Sequence, residues 1–131
     1  MDTAQQAHAV AAPVKAYFAG LNAHDVDAVM SAFAHDAVLM ANEVESSVGS
    51  TEVRAAYAHR FTLFDYARHL HIDDWFADGA LAVVRCYTTG SFTMKATETK
   101  IDAVSRELFV LNHVDGQWKI RCYMFNRPAS A

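Results

Sequence analysis

Apolar residues recur at helical spacing through the first half of the chain and at alternating spacing through the second. Val10, Val14, Tyr17, Phe18 and Leu21 follow one another at steps of 4, 3, 1 and 3 and mark one face of a helix. Pro13 lacks an amide donor, so the regular helix either starts there or kinks there, with the Ala/Gln-rich residues 3–12 as a loose extension. Asn22-Ala23-His24-Asp25 ends this helix, and Asp25 is a good N-cap for a second one whose stripe is Val26, Val29, Met30 and Phe33. His35-Asp36 falls at the end of that second helix, where capping and solvation account for both. Ala37-Val38-Leu39-Met40-Ala41 reads as a short apolar strand, and Asn42 to Ser47 as a polar loop. A third helix is expected from Ser50 or Thr51, with Val53, Tyr57, Phe61 and Phe64 as its stripe and Arg54 and Arg60 beside it.

The second half reads as strands. Residues 67–77 form one, interrupted at Asp73-Asp74, and Asp78-Gly79 is a hairpin turn. Residues 80–94 form a long strand, Glu98 to Lys100 a polar connection, and residues 102–113 a further strand. Asp115-Gly116 turns into a last strand over residues 117–126. Three helices followed by an antiparallel meander predict an α+β domain, with helices covering one face of a curved sheet. Nothing divides the chain, so residues 1–131 form one domain, with a core over about 3–127 and a short loose tail at Ala129 to Ala131. In residues 104–111 both alternating sets are apolar: Val104, Leu108 and Val110 on one face, Phe109 and Leu111 on the other. A strand with one wet face should alternate cleanly. No helix remains to cover the second face, so a homodimer built on the sheet is expected.

Composition narrows the class. With 131 residues, 53% of them hydrophobic, the chain has the apolar mass that a disordered segment lacks. No apolar run approaches the ~20 residues of a membrane span. The start, Met1-Asp2-Thr3-Ala4-Gln5-Gln6, has no basic region and no long apolar stretch, so no signal peptide is expected and the cytoplasm is the default compartment. Eleven basic residues stand against 15 acidic ones, and no Lys/Arg cluster offers a grip on phosphate backbones, so neither nucleic acid nor membrane is an expected partner. Cys86 and Cys122 lie in apolar strand segments at a spacing that matches no zinc or redox motif. His69, His71 and Asp73 share one strand face, but Leu70 and Ile72 on the opposite face are the ones expected to turn inward, so no metal site is expected. No glycine-rich phosphate loop and no serine-nucleophile motif occurs.

Several segments, taken in order, resemble the nuclear transport factor 2-like superfamily, and within it the ketosteroid-isomerase-like and SnoaL-like proteins. Tyr17-Phe18-Ala19-Gly20-Leu21-Asn22-Ala23-His24-Asp25-Val26-Asp27 carries the resemblance first, then Phe33-Ala34-His35-Asp36-Ala37-Val38, then Gly49 with Val53-Arg54 and Tyr57. Arg106-Glu107-Leu108-Phe109-Val110-Leu111 and Asp115-Gly116-Gln117-Trp118-Lys119-Ile120 close it, over about residues 14–126. The resemblance implies a cone in which three helices wrap a strongly bent, mostly antiparallel sheet around an open-ended pocket. It also implies that the strand before the Gly116 hairpin separates the strands of Cys86 and Cys122. Two strand spacings, about 9.5 Å, exceed the roughly 7 Å that a disulfide spans.

Ketosteroid isomerases combine a carboxylate base with an oxyanion hole of a tyrosine and a neutral carboxylic acid. By resemblance the oxyanion-hole tyrosine matches Tyr17, and the helical tyrosine bonded to it matches Tyr57; two core tyrosines bonded to each other or to backbone are the plainer reading. The base position falls at Ala41 or within one residue of it, and alanine takes no proton. Asn42 is no base either, which leaves Glu43 or Glu45 of the following loop. The acid partner falls near Arg106 or Glu107. These alternate in direction, so one faces the pocket and the other the interface. If the pocket face is that of Val104, Leu108 and Val110, Arg106 holds an enolate or carboxylate there; otherwise it is part of a buried ion pair with a carboxylate such as Glu43 or Asp102. The apolar lining is expected from Leu21, Met40, Phe61, Phe64, Leu108 and Tyr123, with Asn42 among them and His59 at the cleft mouth. Such a pocket suits a small hydrophobic, cyclic ligand. Isomerisation, dehydration or cyclisation without a cofactor is one expectation; a non-catalytic binding or dimerisation module is the other.

Overall fold

The computed structural model describes residues 2–128; the expected tail at Ala129 to Ala131 lies outside the described residues. Helix α1 spans Thr3–Asn22. It begins well before Pro13 because Asp2 caps it: the Gln5 amide donates to Asp2 Oδ1 at 2.8 Å, and the Gln5 side chain accepts from the Asp2 amide at 3.2 Å. Its stripe from Val10 to Leu21 is buried, Pro13 included. Helix α2, Val26–Ser31, is short and is capped by Asp25, whose carboxylate accepts from the Ala28 amide at 3.0 Å.

The second helix ends sooner than the apolar stripe suggests. Phe33 opens strand β1, Phe33–Met40, and His35-Asp36 lie within that strand rather than at a helix end. The pairing of β1 with the last strand shifts register between Phe33 and Val38, so His35 and Asp36 both turn outward in succession. His35 Nδ1 lies 3.3 Å from the Ser50 hydroxyl, and Asp36 pairs with Arg121 at 3.5 Å. A two-residue strand β2, Ser47–Val48, leads into helix α3, Ser50–Leu63. Phe64 leaves the helical stripe and starts β3, Phe64–Asp78. Strands β4 (Leu81–Met94), β5 (Thr99–Asp102), β6 (Ser105–Val114) and β7 (Gln117–Asn126) complete the chain.

The seven strands form one curled sheet in the order β2-β1-β7-β6-β4-β3, with β5 beside β4. Only the β1–β7 pair is parallel among the pairings of the described residues. Strand β6 separates β4 from β7, so Cys86 pairs with Glu107 and Cys122 with Val110 on opposite sides of it. The register of β3 slips between Ile72 and Asp74. The extra residue, Asp73, explains the break read at Asp73-Asp74: it lets Arg85 draw in both carboxylates, at 3.5 and 3.1 Å, while Trp75 and Ala77 resume the inward phase.

The helices cover the concave face, and the core sits between them and the inward set Leu39, Val84, Phe109, Leu111, Ile120 and Tyr123. In β6 the buried phase is that of Ser105, Glu107, Phe109 and Leu111. Leu108 and Val110 therefore turn to the convex face, beside Met124 and Met40, each 39% exposed. Met40 and Leu108 are thus no part of the concave lining expected of them.

Gly90 pairs with Arg68 at φ 98°, where a Cβ would stand 2.2 Å from the Ala67 carbonyl oxygen. Gly90→Ala combines backbone strain with that clash, and we expect it to lower the unfolding free energy by about 1–3 kcal/mol or more, read by urea titration.

Candidate functional site

A cavity of about 730 Å³ opens between the helices and the concave face of the sheet. Three phenols from three elements meet in its wall: Tyr17 of α1, Tyr57 of α3 and Tyr123 of β7. Each lies on the buried phase of its own element and is at most 2% exposed. The Tyr17 and Tyr57 hydroxyls are 2.6 Å apart. The Tyr17 ring meets Tyr123 edge-on at 5.0 Å, and Phe109 stacks flat on Tyr123 at 4.0 Å. Burial raises the pKa of all three phenols, so they stay neutral and serve as hydrogen-bond donors.

Tyr123 donates to the Glu107 carboxyl, at 2.9 Å to Oε1 and 3.2 Å to Oε2. Glu107 is 5% exposed, on the strand phase it shares with Ser105, Phe109 and Leu111. That burial pushes its pKa from the ordinary 4.5 up to about 8, against the opposing pull of Tyr123, Arg68 and Thr88. At neutral pH it is mainly an uncharged acid.

Arg68 is a buried cation of the same wall. The side-chain amide of Asn22, at the end of α1, brackets its backbone: it donates to the Arg68 carbonyl and accepts from the Arg68 amide, both at 2.9 Å. Inside, Arg68 Nη2 donates to the Thr88 carbonyl (3.2 Å), the Thr88 hydroxyl (3.0 Å) and the Ala103 carbonyl (2.9 Å). Its Nη1 is buried and has no partner. Toward the rim lie Arg60, whose guanidinium sits 5.5 Å from the Phe125 ring centre, and Arg127, 5.4 Å from that of Phe92. His59 and Glu45 are exposed lining residues.

The structure brings Tyr17, Tyr57, Tyr123, Leu21, Asn42 and Phe64 together around this cavity. Asn42 Oδ1 accepts from the Arg127 amide at 3.3 Å. Phe61 is buried behind the lining, with its ring stacked on His24 at 5.0 Å. Arg106 is not in the pocket: it lies on the convex face, where its Nε donates to Asn126 at 2.9 Å. The ion pair considered for it with Glu43 or Asp102 is likewise absent among the described residues. Glu43 sits in an exposed left-handed turn outside the lining, so the loop carboxylate at the cavity is Glu45. His69 and His71 face outward, His71 stacking on Tyr87 at 4.7 Å. No cluster of three or more His, Cys, Asp or Glu able to hold a metal ion occurs among the described residues.

Of the two positions that the resemblance offers for the acid partner, Glu107 is the inward one, on the phase of Phe109 and Leu111. Arg68 has no place in the sequence reading, although it shares the phase of Leu70 and Ile72. A lone charge on an inward apolar phase is the mark of a buried polar site.

Residues 14–120 match the family model described as SnoaL-like domain. Among solved structures, a ketosteroid isomerase-like protein from Erwinia carotovora atroseptica SCRI1043 is 27% identical, with a TM-score of 0.89 over 94% of this chain and 96% of that one. A nuclear transport factor 2-like protein of unknown function from Pseudomonas putida KT2440 is 14% identical (TM-score 0.77; 99% of this chain, 91% of that one). A candidate dehydratase of the same fold family from Streptomyces avermitilis is 13% identical (TM-score 0.82; 98% and 100%). The last two show likeness of fold alone. No curated protein matches the sequence.

A folded-state pKa of about 8 against 4.5 means that the native protein holds one more proton than the unfolded chain between those values. Stability from this group is complete below about pH 4.5 and is lost as pH rises through about 8. We expect the melting temperature of wild type to fall relative to Glu107→Gln between pH 5 and 8.5, by about 5 °C or more, in paired thermal melts.

Proposed function

The chain belongs to the SnoaL-like domain family, and from that premise we propose that its cavity is a cofactor-independent acid–base site acting on a small, mostly apolar, cyclic carbonyl compound. The reaction class is proton transfer at the carbon next to the carbonyl, the step that isomerisations, dehydrations and cyclisations share. The observation that carries this reading is the buried Glu107 carboxyl, held by Tyr123 in the same wall as the Tyr17–Tyr57 pair. A proton-transfer group works best when its pKa lies near the working pH, and about 8 meets that condition. In this reading ionised Glu107 takes the carbon-bound proton and returns it at the product position. In the bonded Tyr17–Tyr57 pair one hydroxyl donates to the other, and the hydroxyl left free donates to the enolate oxygen, a donor worth about 10²–10³ in rate in favourable sites. Tyr123 orients the carboxyl. The cavity, a drug-sized volume lined largely by apolar side chains, supports a ring-shaped ligand, and the setting we infer is cytoplasmic.

Ala41 favours a second reading. It lines the cavity where the resemblance puts the usual base, and it has no group to take a proton. The cavity then binds such molecules without turning them over.

We also propose a homodimer through the convex sheet face, where Val38, Met40, Leu108, Val110, Cys122 and Met124 form an apolar surface that no element among the described residues covers. Leu108→Glu is expected to convert a dimer of about twice the 14.5 kDa chain mass into monomer in sedimentation equilibrium.

Deuterium exchange at the α-carbons of cyclic ketones in D₂O, followed by NMR, tests the catalytic reading without knowledge of the substrate. Wild type should accelerate exchange, with a rate that rises with pH and levels off above about 8. Glu107→Gln should lose at least about 100-fold, and Tyr17→Phe or Tyr57→Phe a comparable amount. Binding of the ketones with no exchange above buffer supports the second reading and overturns the first.

A further inference from the structure

Arg68 is 7% exposed, yet half of its guanidinium fork is unused. Three acceptors converge on Nη2, Nη1 is buried without any partner, and the side chain lines the cavity. Leaving a buried charged donor unpaired is costly, and an acceptor supplied from within the cavity removes that cost. Glu107 does not supply it, since no Arg68–Glu107 ion pair or hydrogen bond forms among the described residues. Its carboxyl is instead engaged by Tyr123. The wall thus holds one uncompensated positive charge next to a carboxyl that is uncharged at neutral pH.

The remaining charges of the lining reinforce that sign. Arg60 and Arg127 lie over aromatic rings and pair with no carboxylate among the described residues, and Glu45 alone opposes them from the exposed rim. Three of the seven arginines in the chain therefore border one cavity of a protein whose net charge is −4. A monoanion such as a carboxylate matches a single buried guanidinium. Phe18, Leu21, Phe64, Phe92 and Phe125 give the lining its ring and aliphatic surface.

We propose that the cavity takes an apolar carboxylic acid, whose carboxylate is held by the Arg68 guanidinium while its cyclic body lies against the aromatic wall. The inference rests on the pocket reading above and deepens it by naming the substrate class. Arg68 acts as the binding residue that fixes the ligand's direction, and so decides which carbon is presented to Glu107.

Matched probes test this: 2-naphthoate and methyl 2-naphthoate, titrated at pH 7 by isothermal calorimetry and ligand-observed NMR. The acid is expected to bind wild type at least 10-fold more tightly than the ester. Arg68→Met should bring the acid down to the level of the ester and leave ester binding within twofold. Because Arg68 also bonds to Thr88 and Ala103, a second variant carries the test if Arg68→Met does not fold. The double variant Arg60→Gln/Arg127→Gln should keep the preference for the acid. Loss of the preference in that double variant, or its survival in folded Arg68→Met, overturns the assignment to Arg68. Equal binding of acid and ester to wild type overturns the substrate class while the pocket reading stands. Failure of both probes to bind overturns both.

Discussion

Alternation along β6 reserves the position of Glu107 for an apolar side chain, since its neighbours on that phase, Phe109 and Leu111, are fully buried. Carrying an ionised carboxylate into such a place costs several kcal/mol unless charge or hydrogen bonds compensate it. The structure supplies a phenol donor from Tyr123 and a nearby but unpaired guanidinium, Arg68. That is less than full compensation, and the carboxyl answers by holding its proton at neutral pH. The other polar groups of the wall follow from this: Tyr123 must aim at the carboxyl, Tyr17 and Tyr57 are left to each other, and Arg68 keeps a free donor.

The arrangement holds because each polar group is anchored by an element that is rigid for apolar reasons. Tyr17 belongs to the same helical stripe as Val10, Val14 and Leu21, so its ring direction is set by the packing of α1 on the sheet. Tyr123 is fixed by the flat stack with Phe109, on the neighbouring strand of the ladder. Arg68 is held from outside by Asn22, whose amide makes the paired bonds that a neighbouring strand would make. One residue at the end of α1 thereby ties helix to strand at the point where the buried cation enters. Preorganisation of this kind is what an acid–base site needs, because donors fixed in advance need no reordering as charge develops.

The sequence made the architecture legible because hairpin turns and periodicity are local. Asp78-Gly79 and Asp115-Gly116 mark their turns, and strands 80–94 and 117–126 lie within a residue of their observed bounds. The failures are non-local. Phe33 continues a helical stripe by spacing, but Ala32 caps α2 and the pairing partner of β1 claims Phe33 for the sheet. Phe64 likewise continues the spacing of α3 but belongs to β3. The orientation of β6 was undecidable from its own residues, because Val110 and Leu111 are equally apolar; only the helices' choice of face settles it. That choice moves Arg106 and Leu108 outward and brings Glu107 in. Arg68 stands among histidines that face outward, and the inward placement of Leu70 and Ile72 entails its own.

The cavity's chemistry also turns on where its carboxyl stands. The strand that carries the base position of the resembling isomerases, β1, offers Ala41 here, and the buried acid lies two strands away on β6, across β7. The intervening strand supplies Tyr123, whose hydroxyl bridges toward that acid. A neutral carboxyl in the place of a charged one changes the field inside the cavity. With Glu107 protonated, Glu45 at the rim is, among the described residues, the one lining carboxylate that opposes Arg68, Arg60 and Arg127, so the lining carries more positive than negative groups although the chain as a whole is negative. In a wall of low polarity such a charge is weakly screened and acts strongly on whatever enters. The same proton that makes burial of Glu107 tolerable therefore sets the sign of the field that an incoming ligand meets.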